Sequence, residues 1–168
     1  MYKIGELIIY GNEGVCKVED IGVPDISGIN KNKKYYTLKP VYENSKIFVP
    51  TNTNIFMRKV KTYEEIQKLI KSIPSIEEVE CDEKNAKSLE AHYKKLLETH
   101  ECIDLLTIIT GVYEKKETAT KNGKKLSQVD LKFMKIAKSL IDEEFSVVLG
   151  ILREEVQPYI NEKVKMYS

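Results

Sequence analysis

Two histidines, His92 and His100, are the side chains of this 168-residue chain best suited to proton transfer or metal binding near neutral pH. They stand eight residues apart in one helical stretch, with no cysteine or carboxylate at a metal-ligand spacing beside them. Solvated or helix-capping roles are expected for both, and no metal site. The three cysteines, Cys16, Cys81 and Cys102, are odd in number and widely spaced, without a CxxC pair. That pattern argues for reduced thiols rather than a disulfide framework or a zinc site. Cys102 fits a small core residue, and Cys81 lies in an acidic stretch. The carboxylate pairs Glu143-Glu144 and Glu154-Glu155 are sequence neighbours, which do not face each other on a helix, so they read as surface charge. The chain has no GxSxG elbow, Walker A loop, GxGxxG turn or HExxH helix. No catalytic residue and no cofactor is expected, which leaves binding as the chemistry to explain.

Charge offers a limited guide to the partner. Lysine and arginine number 27 against 26 acidic residues, so any contact with nucleic acid must come from local patches. Lys31, Lys33 and Lys34 mark one polar loop, and Lys121, Lys124 and Lys125 another. Lys132, Lys135 and Lys138 recur every third residue, so a lysine stripe is expected on one side of a helix, with Leu131, Met134, Ala137 and Ile141 on the other. Such a run can be a solvated face or a phosphate-contacting one. The ten tyrosines include Tyr2, Tyr10, Tyr35, Tyr36 and Tyr42 in the first part of the chain, where aromatics suit strands.

These residues sit on two kinds of element. Leu7-Ile8-Ile9-Tyr10 and Val15-Cys16-Lys17-Val18-Glu19 are β-runs joined by Gly11-Asn12-Glu13-Gly14, whose glycines suit a tight reversal. A polar loop follows from Gly22 to Lys34, then a third strand from Lys34 to Pro40 and a fourth from Lys46 to Val49, closed by Pro50. Residues 52–60 can add a fifth. Alternation predicts Tyr36 and Leu38 on a core face and Tyr35, Thr37 and Lys39 on an exposed one. Lys46-Ile47-Phe48-Val49 is a candidate edge strand, open to pairing with a partner strand, although an internal strand with Phe48 in the core is the competing reading. Five short antiparallel strands predict a small β-barrel of Tudor-like or SH3-like type over residues 1–60.

The hydrophobic period changes at Thr62. Thr62-x-x-Glu65 is a capping box that predicts a helix to about Ser72, stopped by Ile73-Pro74-Ser75. Ile76 to Glu83 is an acidic linker. Helices are expected over residues 84–99 and 102–113, a polar loop over 115–125, and a further helix from Ser127-x-x-Asp130. Phe145 to Leu152 is strongly apolar. A last amphipathic helix runs over 153–166, where Pro158 marks either a kink or the true start. The fold class is α+β in two domains, 1–60 and 61–168, the second all-α with about five helices. No signal peptide precedes the first strand, and no apolar run approaches the roughly 20 residues that span a bilayer. A cytoplasmic protein without membrane partners is expected.

The pattern G-x-x-x-x-Y-x-x-x-G-V-x-x-V from Gly5 to Val18, then Tyr35-Tyr36-x-Leu38, then Val49-Pro50, resembles the RNA-polymerase-interacting domain of the CarD/CdnL transcription regulators, which the transcription-repair coupling factor shares. The helical part adds Leu126-Ser127-x-x-Asp130, Ala137, Leu140 and Glu144, similar to that family's second segment. The resemblance implies a bacterial regulator with no enzymatic activity. Its Tudor-like domain would bind the RNA polymerase β subunit, through Lys46, Ile47, Phe48, Val49, Tyr35 and Lys39. Its helical domain would contact promoter DNA weakly and mostly independently of sequence, through Lys87, Lys124, Lys125, Lys132, Lys135 and Lys138, and so stabilise the open complex.

The chain also departs from that family. Members place a tryptophan early in the helical domain as a wedge into the minor groove; here that position falls at Asn85-Ala86-Lys87, and the chain has no tryptophan. Some members use an arginine where Phe48 stands, and some basic DNA-facing positions fall on apolar residues such as Leu131. A protein-interaction module without a DNA role is therefore the alternative reading.

Overall fold

The computed structural model describes residues 1–77 and 85–167. Contacts divide the chain into two units, Met1–Lys61 and Thr62–Ser168. The first holds strands β1 (Leu7–Tyr10), β2 (Val15–Gly22), β3 (Tyr35–Pro40), β4 (Ile47–Pro50) and β5 (Met57–Lys59). The second holds helices α1 (Tyr63–Ser72), α2 (Ala86–Glu98), α3 (Cys102–Lys121), α4 (Gln128–Leu149) and α5 (Arg153–Tyr167), with a 3-10 turn at Ile73–Ser75 after α1. Cys81 and most of the acidic stretch around it lie outside the described residues.

The strands form one antiparallel sheet in the order β4-β3-β2-β1-β5. It is an open ladder rather than a closed barrel, with β4 and β5 as its edges. Gly11 and Gly14, at φ +47° and +85°, make the β1–β2 reversal, conformations in which a side chain is disfavoured. β2 carries a bulge: Val18 pairs Leu38 while Asp20 pairs Thr37, leaving Glu19 as the extra residue. The bulge moves Ile21, three residues after Val18, onto the same face as Val18, where it packs on the core. That core is Ile8, Tyr10, Cys16, Val18, Tyr36, Leu38 and Val49. Tyr36 and Leu38 face it, as alternation predicts. The opposite face of β3 is less open than predicted, because Tyr35 and Thr37 are each only 9% exposed. Pro50 is tolerated in β4 because an edge strand needs ladder donors on one side only.

In the helical unit, local sequence sets the helix ends. Thr62 and Glu65 form the reciprocal capping box at the start of α1. Asn85 caps α2, its side-chain oxygen accepting from Lys87 N at 2.9 Å. His100, at φ +55°, closes α2 with its N–H donating to Leu97 O. α3 continues two turns past Tyr113 through Lys-Lys-Glu-Thr-Ala-Thr-Lys. Those residues are good or neutral helix formers, but they lack the apolar period that marks a buried face, so the sequence alone reads them as loop. α4 is one helix of 22 residues that absorbs most of the apolar run after Phe145; Gly150, at φ +70°, ends it by donating to Ser146 O. α5 begins at Arg153 and runs through Pro158.

The inward stripe of α4 is Phe133, Ala137, Ile141 and Phe145, packed with Ile66 and Ile70 of α1, Leu105, Ile108 and Val112 of α3, and Val156 and Ile160 of α5. Leu131, expected on the apolar side, is instead 46% exposed. Three buried polar residues interrupt this core, and each is paired: Ser146 Oγ donates to Glu143 O at 2.8 Å, and Glu144, expected from sequence at the surface, and Asp130 are the other two. Cys102 Sγ lies 3.3 Å from Glu144 Oε1. Asp130 is the centre of a larger cluster joining three helices. Tyr93 Oη of α2 donates to Asp130 Oδ1 at 2.5 Å, Lys115 Nζ of α3 reaches the same oxygen at 3.2 Å, and Ser127 Oγ donates to Oδ2 at 2.8 Å. Ser127 Oγ also accepts from Asp130 N and so caps α4. Burial alone would raise the Asp130 carboxyl. The hydrogen bonds from Tyr93 and Ser127 and the Lys115 ammonium outweigh it and hold the carboxyl below its ordinary value. Burial, and then the bond to Asp130, push the Tyr93 hydroxyl well up.

Removing the carboxylate strands Lys115 and Tyr93. Asp130→Ala should therefore cost about 3 kcal/mol of unfolding free energy at pH 7, the low end for breaking a buried pair because the Lys115 side chain is 23% exposed. A carboxyl with a lowered folded pKa contributes its stability above its unfolded value of about 3.9 and loses it as pH falls through the folded one. The gap between wild type and variant in urea unfolding should accordingly narrow below about pH 4. A gap that stays constant from pH 7 to pH 3 would remove the ionised carboxylate as its source.

Candidate functional site

In the β unit, the strand read from sequence as a candidate edge is one. β4 pairs only with β3, in the register Leu38↔Ile47, Thr37↔Phe48, Tyr36↔Val49, Tyr35↔Pro50. Among the described residues, no strand lies beside its outer row of backbone groups. The register assigns the side chains. Val49 is 2% exposed and belongs to the core, and Ile47 packs partly on it. Phe48 falls on the other face, beside Thr37, and stays partly exposed. Lys46, just before the strand, is exposed and reaches Glu19 Oε2 at 3.7 Å, so the bulged residue of β2 meets the start of the edge. Of the six side chains expected to meet a partner, Lys46, Phe48 and Lys39 are the accessible ones, and Tyr35 and Val49 are buried.

The same register exposes a residue that the sequence did not single out. Lys17 of β2 lies directly opposite Lys39 of β3, and both are exposed on the face that carries Phe48. Like charges facing each other across a ladder are destabilising, and neither lysine has an ion-pair partner among the described residues. An aromatic edge beside two uncompensated cations suits an acidic strand with an apolar anchor. The cross-strand pairing depends on the β2–β3 register, which a one-dimensional reading cannot supply.

In the helical unit, the expected lysine stripe divides. Lys132 turns toward α2, where its Nζ lies 3.8 Å from Glu90 Oε1 and 5.5 Å from the Phe133 ring centroid. Lys135 and Lys138 turn the other way, into a shallow hollow shared with Leu131, Met134 and Arg153 of α5. A three-residue step turns about 60° short of a full helical circle, so two steps separate Lys132 from Lys138 by about 120°. Arg153 joins this group because α4 and α5 form a hairpin around Gly150; nothing in its local sequence marks it. Asp142 also lines the hollow. Burial pushes its carboxyl up, against the hydrogen bond from Gln157 at 2.8 Å and the nearby Lys138 and Arg153. Lys124 and Lys125 lie in the α3–α4 loop and line a different cleft. Asn85, Ala86 and Lys87 form the exposed start of α2, with Asn85 already used as its cap.

Comparison with known proteins bears on the β unit. Residues 2–61 match the CarD-like/TRCF RID domain, a span that ends where the sheet ends and covers less than half of the chain. No curated protein matches the chain. The matched span contains all five strands, the open β4 edge and the Lys17–Lys39 pair. The domain is a protein-interaction module, not a catalytic one. The β unit of this chain thus carries the match to the CarD-like/TRCF RID domain, which points to a transcription-related role of interaction with RNA polymerase.

Proposed function

We propose that this chain is a cytoplasmic transcription regulator that docks on the β subunit of RNA polymerase through the β4 edge and holds promoter DNA with its helical unit, stabilising the open complex. The observation that carries the reading is the RID match over a sheet whose β4 edge is open and carries Phe48, Lys46, Lys39 and Lys17 on its accessible surfaces. Main-chain pairing along β4 would supply affinity, Phe48 an apolar anchor, and Lys17 and Lys39 a preference for an acidic strand. On the helical side, Lys135, Lys138 and Arg153 converge on one hollow whose rim includes the exposed Leu131. Contacts of that kind to phosphate are sequence-independent and individually weak. They suffice when docking on polymerase raises the local concentration of the helical unit at the DNA.

The alternative, an interaction module without a DNA role, has its own support. No tryptophan stands at Asn85-Ala86-Lys87, and Lys132 is already occupied by Glu90. The two readings share the polymerase contact and differ in the second unit.

Two experiments separate the parts. Phe48→Glu in the full chain should weaken binding to RNA polymerase at least about tenfold by placing an acidic group at the anchor, with unchanged helical circular dichroism. Equal affinity in a folded variant would remove β4 from the interface. Reversing Lys135 and Lys138 to glutamate should shorten open-complex lifetime while sparing polymerase binding, and Lys132→Glu should have the smaller effect. Wild-type lifetime in the double variant would favour the module without a DNA role.

A further inference from the structure

Between α2, α3 and the start of α4 lies a cleft of about 610 Å3 that neither proposed contact uses. Sites for small organic ligands fall in the same range, about 300–1,000 Å3. Its accessible apolar lining includes Ile76, Leu96, Ala119 and Leu126, with the buried Leu89 and Ile108 beneath them.

Gly111 also lines it, in the interior of α3, where glycine costs the helix about 1 kcal/mol against alanine. The glycine has no positive φ to justify it, and an added Cβ would meet nothing within 4 Å. Neither backbone geometry nor close helix packing accounts for it. What it does is keep the wall of the cleft free of a side chain.

The charges around the cleft are of both signs, but they are not equally available. Lys115 and Asp130 neutralise each other, and Glu114 is already engaged within the chain. Lys124 and Lys125 have no ion-pair partner among the described residues, and against them stands the exposed Glu77.

We propose that this cleft binds a small amphiphilic organic anion. Its aromatic or aliphatic body would lie on the half-buried Ile76, Leu96 and Leu126 against Gly111, and its acidic group would meet Lys124 and Lys125. The site shares no residue with the β4 edge or with the hollow of Lys135, Lys138 and Arg153.

The probe is 8-anilinonaphthalene-1-sulfonate, which combines an aromatic body with a fixed negative charge, titrated into the full chain by fluorescence and calorimetry. The expected result is one saturable site per chain. Gly111→Leu should weaken binding at least about tenfold by filling the cleft, while raising Tm, because leucine is the better helix former and its Cβ would meet nothing within 4 Å. Reversing Lys124 and Lys125 to glutamate should also weaken it at least about tenfold. Absence of saturable binding, undiminished binding in Gly111→Leu with an intact thermal transition, or undiminished binding in the lysine variant would each overturn the proposal.

Discussion

Backbone hydrogen bonding at a sheet edge is the constraint around which the β unit is arranged. The ladder β4-β3-β2-β1-β5 is open, so β4 and β5 each leave one row of N–H and C=O groups without a neighbouring strand. Both edges are short, four and three residues, which limits unwanted pairing. At β4 the limitation is more specific. Val49 anchors the strand in the core, Pro50 stops it, and Phe48 and Lys46 stay accessible. An edge fixed in this way has the position and side chains to accept one partner strand in one register. The Lys17–Lys39 pair places two like charges opposite each other on the face that carries Phe48, which does not help the fold.

The helical unit answers a different demand, that of fixing three helices around a polar centre. Asp130 caps α4 through Ser127, receives Tyr93 from α2 and Lys115 from α3, and thereby sets where the α3–α4 loop and its lysines emerge. Each hydrogen bond contributes modestly on its own, but each partner is costly to leave without the others. Gly150 does the comparable work at the far end of α4, reversing the chain so that Arg153 joins Lys135 and Lys138. The grouping of these three basic residues, beside Asp142 and Glu154 in the same hollow, is thus a product of helix termination as much as of lysine spacing.

The sequence was most legible where structure is local. The capping residues Thr62, Glu65, Ser127 and Asp130, the alternation of Tyr36 and Leu38, and the stop at Pro50 can be read residue by residue, because each acts within a turn or a strand. Three features depended on information from outside the segment. The bulge at Glu19 shifts Ile21 to the core face, which strict alternation denies. The last two turns of α3 lack a buried face and so carry no periodic signal. On α4, the apolar residues Leu131 and Phe133 look equivalent in sequence; only the packing of α1, α3 and α5 selects Phe133 for the core and leaves Leu131 outside. The candidate contacts follow the same rule. β4 was recognisable as a possible edge, but the cross-strand partner of Lys39, the diversion of Lys132 to Glu90 and the arrival of Arg153 are tertiary facts.

The central claim is that β4 is the docking strand, and hydrogen exchange of the full chain with and without RNA polymerase tests it most directly. Docking on this edge predicts slowed exchange of the backbone amide of Phe48, which points away from β3 in this register, on adding polymerase, with little change in β5 at the opposite edge. Protection confined to β5, or to the helical unit with β4 unchanged, would contradict it.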